Sequence, residues 1–244
     1  MSKWLASVQS LEEARVLLSV LPDILDMKNP AEGALGALKV DTVGQIVKLI
    51  NGRCQTSATI GDLPMQSDLI STAMINMAFS GVDYIKIGLF PETGLSECIV
   101  GLAATINNLK IPVIGVLFAD KALDSNYLPL LKVSGFKGVM VDTAIKNGQH
   151  LLDHWSFDQL ADFVESACQQ EMLCGLAGAL RCEDIPALSS MGADYLGFRS
   201  ALCQRQQRTS SLQIALAKQI QQAIYAQKKE DMSSEEKMVL SWQI

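Results

Sequence analysis

Short apolar runs alternate with longer amphipathic stretches along this chain, from residue 4 to residue 225. The apolar runs, of strand length, occupy residues 4–8, 24–29, 56–61, 84–90, 113–119, 138–143, 173–177 and 195–199. Between them, helical periodicity predicts helices over 11–18, 42–50, 69–79, 96–107, 127–133, 157–169 and 183–190, with a last one over 211–225. Ser67, Ser96 and Ser156 stand where N-caps belong, because a serine oxygen can accept an unpaired N–H of the first turn. Gly81, Gly135 and Gly192 each lead from a helix into a strand, where glycine supplies the helix-ending conformation. Strict alternation of eight strands with eight helices predicts a (β/α)₈ TIM barrel, a single α/β domain over residues 1–227. An open doubly wound sheet is the competing architecture, but its Gly-rich turn after the first strand is missing.

Residues 228–244 change character, running from charged to apolar. They are expected either to fray into solvent or to dock Val239, Leu240 and Trp242 on a barrel, their own or a neighbour's. Exposed apolar residues in such a tail favour a homo-oligomer.

Composition narrows the class of function. With 244 residues and 49% hydrophobic content, the chain can bury a substantial core. A net charge of −6 excludes a general nucleic-acid binder but leaves room for an anionic metabolite held by local cations. The N-terminus has no long apolar segment of the secretory type, and no uninterrupted apolar run reaches membrane-spanning length. Six cysteines without a C-x-x-C pair read as reduced thiols, so a cytoplasmic protein is expected.

The candidate chemistry lies on two lysines, Lys28 in LDMKNP and Lys86 in YIKIG. Strand alternation puts Asp26 and Lys28 on one face, and Lys86 on a face with Tyr84 and Gly88. An ammonium in an apolar strand is costly unless it is paired or sheds its proton. A lysine with a depressed pKa is the usual nucleophile for an imine with a carbonyl substrate. Barrels carry their catalytic groups at the C-terminal ends of the strands. That rule adds Asp142 and Lys146 after the sixth strand, with Asp62 and Asp120 ending the third and fifth. A purely structural buried ion pair is the competing reading for the two strand lysines.

A second constellation follows strands seven and eight. The small residues of GLAGAL (175–180) and GFRSA (197–201) allow backbone N–H groups to approach an anion. Gly178, Ala179, Gly197 and Ser200 are therefore candidate phosphate-binding positions, with Arg199 as a bidentate clamp. His150 and His154 have the spacing of a metal pair but no third ligand beyond Asp153, so no metal is expected. Cys203 reads as an idle buried thiol.

Taken together, DMKNPAEGALGA (26–37), SATIGDLP (57–64), GVDYIKIGL (81–89), VMVDTAIKNG (139–148), LAGAL (176–180) and GFRSALC (197–203) resemble the (5-formylfuran-3-yl)methyl phosphate synthase family. The resemblance runs in register from about Trp4 to Cys203. It implies a (β/α)₈ barrel that condenses two molecules of glyceraldehyde 3-phosphate into 4-(hydroxymethyl)-2-furancarboxaldehyde phosphate, a methanofuran precursor. It further implies that Lys28 forms the Schiff base, that Lys86 accepts a proton, and that Asp26, Asp142 and Lys146 support them. No metal or organic cofactor is implied, since the lysine itself activates the carbonyl. The chain departs from the family pattern at Ser200, where glycine is expected. It departs again at QRQQRTSS (204–211), where the family is Gly-rich and acidic. A Schiff-base aldolase acting on another sugar phosphate is the alternative.

Overall fold

The computed structural model describes residues 2–121 and 127–241, with side chains as far as residue 227. Eight parallel strands close on themselves in sequence order, giving the expected barrel. They are β1 (Lys3–Val8), β2 (Ile24–Met27), β3 (Gln55–Thr59), β4 (Tyr84–Gly88), β5 (Val113–Phe118), β6 (Gly138–Asp142), β7 (Leu173–Leu176) and β8 (Tyr195–Phe198). Around them run α1 (Leu11–Val16), α2 (Val40–Ile50), α3 (Ser67–Ala78), α4 (Leu95–Leu109), α5 (Tyr127–Val133), α6 (Leu151–His154), α7 (Phe157–Gln169), α8 (Ile185–Ser189) and α9 (Ile214–Ser241).

Alternation divides the strand side chains between two cores. Trp4, Leu25, Ile85, Ile87, Val139 and Leu196 face the helices in the outer core. Leu5, Ile24, Ile114, Val116, Met140 and Tyr195 fill the barrel interior. Register places Ser7 beside Asp26 and Asp26 beside Ser57, so one polar layer sits above that apolar plug. At the opposite end Asp23, Asp83 and Asp194 accept the N–H groups of Trp4, Thr56 and Cys174, each at 2.7 Å. These carboxylates lock the strand starts and leave the chemistry to the other rim.

Several boundaries differ from the sequence expectation. Most strands end one or two residues early, because the chain turns into its βα loop while still alternating. Lys28 lies one residue past β2, yet its N–H still donates to the Val8 carbonyl at 3.1 Å. Ser156 caps α7 as expected, accepting the Gln159 N–H. Ser67 and Ser96 do not cap: α3 starts after Gln66 and α4 after Gly94. Ser67 instead packs against Gly101, where an added Cβ would lie 2.8 Å from its side chain. The α9 backbone runs on to Ser241 without a proline or glycine to stop it, beyond the expected end at residue 225. The suggested docking of Val239, Leu240 and Trp242 concerns side chains outside the described ones.

Two carboxylates order the loops of the reactive rim. Asp62, just past β3, accepts the N–H groups of Ala34 and Leu35, both at 2.8 Å. Asp120, past β5, does the same for Ala144 and Ile145 at 2.7 and 2.6 Å. Both act as loop clamps. The first clamp requires Gly33, whose φ is +97° and whose added Cβ would fall 2.1 Å from Asp62 Oδ2. Gly33→Ala should destabilise the protein by roughly 1–3 kcal/mol through backbone strain and displacement of Asp62. Urea unfolding measures this, and an unchanged midpoint would refute it.

Candidate active site

Asp26, Lys28, Lys86, Asp142 and Lys146 meet at the C-terminal mouth of the barrel, as the strand reading expects. Lys86, 2% exposed, forms an ion pair with Asp26 Oδ1 at 2.7 Å. Asp26 is fully buried and also accepts Ser7 Oγ–H at 2.8 Å and Ser57 Oγ–H at 2.7 Å. Burial acts to raise the Asp26 pKa, but Lys86, Lys28 and these hydrogen bonds outweigh it and hold the carboxyl below its ordinary value. Asp26 therefore stays ionised in the barrel interior.

Asp142 shows the same balance. Its Oδ1 accepts Lys146 Nζ at 2.8 Å and the Thr143 N–H at 2.7 Å. Burial opposes ionisation there too, yet Lys146 and Lys28 keep Asp142 well below the usual carboxylate range.

Lys28 differs from both neighbouring lysines. Its nearest carboxylate oxygen, Asp142 Oδ2, is 3.7 Å away, beyond a good hydrogen bond. Desolvation, only partly offset by Asp142 and reinforced by Lys146 and Lys86, lowers its pKa to about 8. The three lysines thus have distinct electrostatic situations. Lys86 and Lys146 are each tied to a carboxylate at hydrogen-bond distance, whereas Lys28 has a loosely held amine poised to lose its proton. The residue pattern offered no way to rank them, and only the family resemblance singled out Lys28.

The mouth opens into a cavity of about 470 Å³, within the usual range of small-molecule sites. Six cationic side chains line it (Lys28, Lys86, Lys146, Arg181, Arg199 and Arg208), against the single carboxylate of Asp142. On a protein of net charge −6, this local excess of positive charge suits an anionic ligand.

Gly178, Ala179, Gly197 and Ser200 also line the cavity. The N–H groups of Gly178 and Ala179 have no protein acceptor among the described residues, and Ala179 takes an unusual φ of +51°. A side chain at Gly197 would run into Met140 and Ala177, so glycine keeps the floor open.

Arg199 departs from the expectation of a phosphate clamp. Its Nη1 and Nη2 fork onto the Glu13 carboxylate. The remaining donors reach the carbonyls of Ser7, Arg208 and Ser210 at 3.1, 2.7 and 3.3 Å. All five N–H donors are committed, because Glu13 on α1 comes within reach when the barrel closes. The cations that sequence reasoning missed are Arg181 and Arg208, the second in the segment that departs from the family pattern.

The two histidines do not join the site. His150 lies 3.4 Å from Asp153 Oδ1, and no cluster of three metal-ligating side chains occurs among the described residues. Cys203 is buried, with its thiol pushed up to about 11 by desolvation. No helix among the described residues is long and apolar enough to cross a membrane.

Comparison with known proteins shows the family. The 4-HFC-P synthase family profile matches residues 4–221. The (5-formylfuran-3-yl)methyl phosphate synthase of Methanocaldococcus jannaschii is 36% identical over 210 residues, covering 82% of this chain and 89% of that protein. Its namesake from Methanopyrus kandleri is 34% identical over 195 residues, covering 76% and 82% respectively. A protein of Methylorubrum extorquens is 38% identical over 224 residues, covering 91% of both chains. Among solved structures, a 3-hexulose-6-phosphate synthase superposes with a TM-score of 0.63 at 17% identity, covering 91% of this chain and 99% of that one. TrpF from Jonesia denitrificans gives 0.66 at 10% identity, covering 93% and 98%. At such identities the structural likeness speaks for the barrel fold alone.

Proposed function

The chain belongs to the 4-HFC-P synthase family, and from that premise we propose that it is a cytoplasmic lyase condensing two molecules of glyceraldehyde 3-phosphate through an imine on Lys28. The products are 4-(hydroxymethyl)-2-furancarboxaldehyde phosphate, one inorganic phosphate and two waters, and the furan serves as a precursor of methanofuran. The observation that carries this reading is the Lys28 amine, 3.7 Å from its nearest carboxylate and with a pKa lowered to about 8 inside a cationic cavity.

Neutral Lys28 adds to the aldehyde of one triose phosphate, and loss of water gives the iminium ion. The iminium acidifies the adjacent C–H, and its removal gives an enamine that expels phosphate from the neighbouring carbon. Lys86 takes that proton, and Asp26 holds the resulting ammonium across their 2.7 Å contact. The second triose phosphate shifts its C2 proton to C1 to become the ketone, and the terminal carbon nucleophile regenerated on the lysine adduct joins that ketone carbon, the connectivity that a 2,4-substituted furan requires. Cyclisation and loss of water then make the ring aromatic and free the amine. The Asp142–Lys146 pair beside Lys28 gives and takes protons at the imine nitrogen and departing hydroxyls. The N–H groups of Gly178 and Ala179, with the space left at Gly197 and the backbone of Ser200, receive one substrate phosphate.

Incubation with glyceraldehyde 3-phosphate alone tests the reaction. A conjugated furfural absorbing in the near ultraviolet, together with released phosphate, is expected. A borohydride-trapped adduct without any furfural would instead point to an aldolase, and no adduct on Lys28 of active protein would remove the mechanism.

The pH dependence has a definite sign. Imine formation needs the neutral amine, so its rate should climb with pH and level off above about 8. Lys146→Met removes a like charge and frees Asp142 to pair with Lys28, so this limb should move to higher pH. Single-turnover trapping across pH 6–10 measures the limb, and an unmoved midpoint would contradict the electrostatic account.

A further inference from the structure

We propose that Arg208 is the side-chain clamp for a phosphate monoester in this cavity, and that the buried Arg199–Glu13 pair is the positioning device that presents it. The inference deepens the proposed function and rests on its reading of the cavity as a sugar-phosphate site.

Arg208 lies in the loop after β8 and lines the same cavity as Lys28, Asp142 and Lys146. Its Nη2 donates to the Gly33 carbonyl at 2.8 Å, which carries the guanidinium across the mouth toward the loop after β2. That is the only acceptor its side chain meets among the described residues, and no carboxylate there comes within ion-pair distance. Asp142 and Asp62 act on it only through space, while partial burial works against its charge. A half-buried guanidinium with spare donors at the rim of a cavity is suited to fork onto phosphate oxygens.

The contrast with Arg199 defines the division of labour. Arg199 has spent its donors, two of them on the carbonyls of Arg208 and Ser210, within the loop that Arg208 belongs to. Glu13 holds Arg199, and its Oε2 also accepts the Gln9 N–H at 2.9 Å. The ion pair thus fastens the β8 loop to the start of α1 and fixes the backbone from which Arg208 projects. Two substrate phosphates require two anion subsites. The free backbone N–H groups after β7 offer one, and Arg208, on the side of the mouth nearer β2, offers the other.

The test uses sn-glycerol 3-phosphate, which carries the phosphate but no carbonyl. Its binding is therefore independent of the imine reading, and failure of Lys28 trapping would leave this test standing. Titration calorimetry on the full chain should show a ten- to hundred-fold weaker Kd in Arg208→Gln, with Arg208→Lys between that variant and the parent. Glu13→Gln should weaken binding in the parent background and add no further loss on Arg208→Gln. Thermal unfolding of each variant identifies the folded ones. Should Glu13→Gln fail to fold, Arg199→Lys takes its place in the cycle. Unchanged affinity in folded Arg208→Gln overturns the clamp. An equal loss from Glu13→Gln in both backgrounds overturns the positioning role.

Discussion

A Lys28→Met variant is expected to lose condensation by on the order of 10⁴-fold or more, and yet to unfold at a higher temperature than the parent protein. The first effect follows from removing the amine proposed to hold the substrate covalently. The second follows from the environment of that atom. Lys28 is 7% exposed, and its pKa is about 8 against an ordinary 10.5. The folded state therefore binds fewer protons than the unfolded state between those values, so stability must rise with pH across that window. Below about pH 8 the protein bears the full penalty, at most roughly 3 kcal/mol for a shift of this size. Methionine has a similar shape without the charge, and Asp142 keeps its 2.8 Å partner Lys146. Stabilisation by about 1–3 kcal/mol at pH 7 should result, shrinking from pH 8 upward and vanishing above about 10.5, where the parent lysine is neutral in both states. Calorimetric scans at pH 7 and pH 10 measure this, with borohydride trapping run in parallel. A variant that is less stable at pH 7, or that still forms an adduct, would show that Lys28 is not the strained nucleophile.

Asp26→Ala should instead be among the most damaging single changes in the barrel. It strands Lys86 Nζ, which is 2% exposed, and removes the acceptor of both the Ser7 and Ser57 hydroxyls. Breaking a buried pair from one side costs about 3–5 kcal/mol, because the remaining charge has neither water nor a partner. Asp26→Asn, which keeps the shape and an acceptor oxygen, should cost less. Urea unfolding at pH 7 distinguishes these outcomes, and a loss below about 1 kcal/mol would mean that Lys86 has another partner. Catalysis should fail in both variants, because neither leaves a carboxylate to hold Lys86 in place.

The opposite fates of Lys28 and Asp26 explain how far the site was legible beforehand. Lysines 28 and 86 stood out because each interrupts a run of apolar or small residues, a local signal that needs no knowledge of neighbours. The ends of β2 and β4 placed them at the mouth for the same reason. Two serines chosen as helix caps proved otherwise: Ser67 was claimed by the close approach of α4 at Gly101, a contact 34 residues away in sequence. Arg199 misled because its motif is local while its partner is not. Glu13 stands 186 positions earlier and captures the guanidinium only once β1 lies against β8. Arg208 gave no motif at all, since QRQQRTSS reads as a polar loop until its path over the mouth is known.

Taken alone, the sequence determined the eight-fold alternation, the strand faces and the rim on which the charged residues gather. Those depend on side-chain periods of two and 3.6 residues, which neighbouring positions carry within themselves. Closure of the barrel decided the rest: which lysine goes without a close carboxylate, which arginine spends its donors on the protein, and which keeps them for a ligand. Such outcomes are set by burial and by the competition of distant groups for the same hydrogen bonds, and both exist only once the chain has folded.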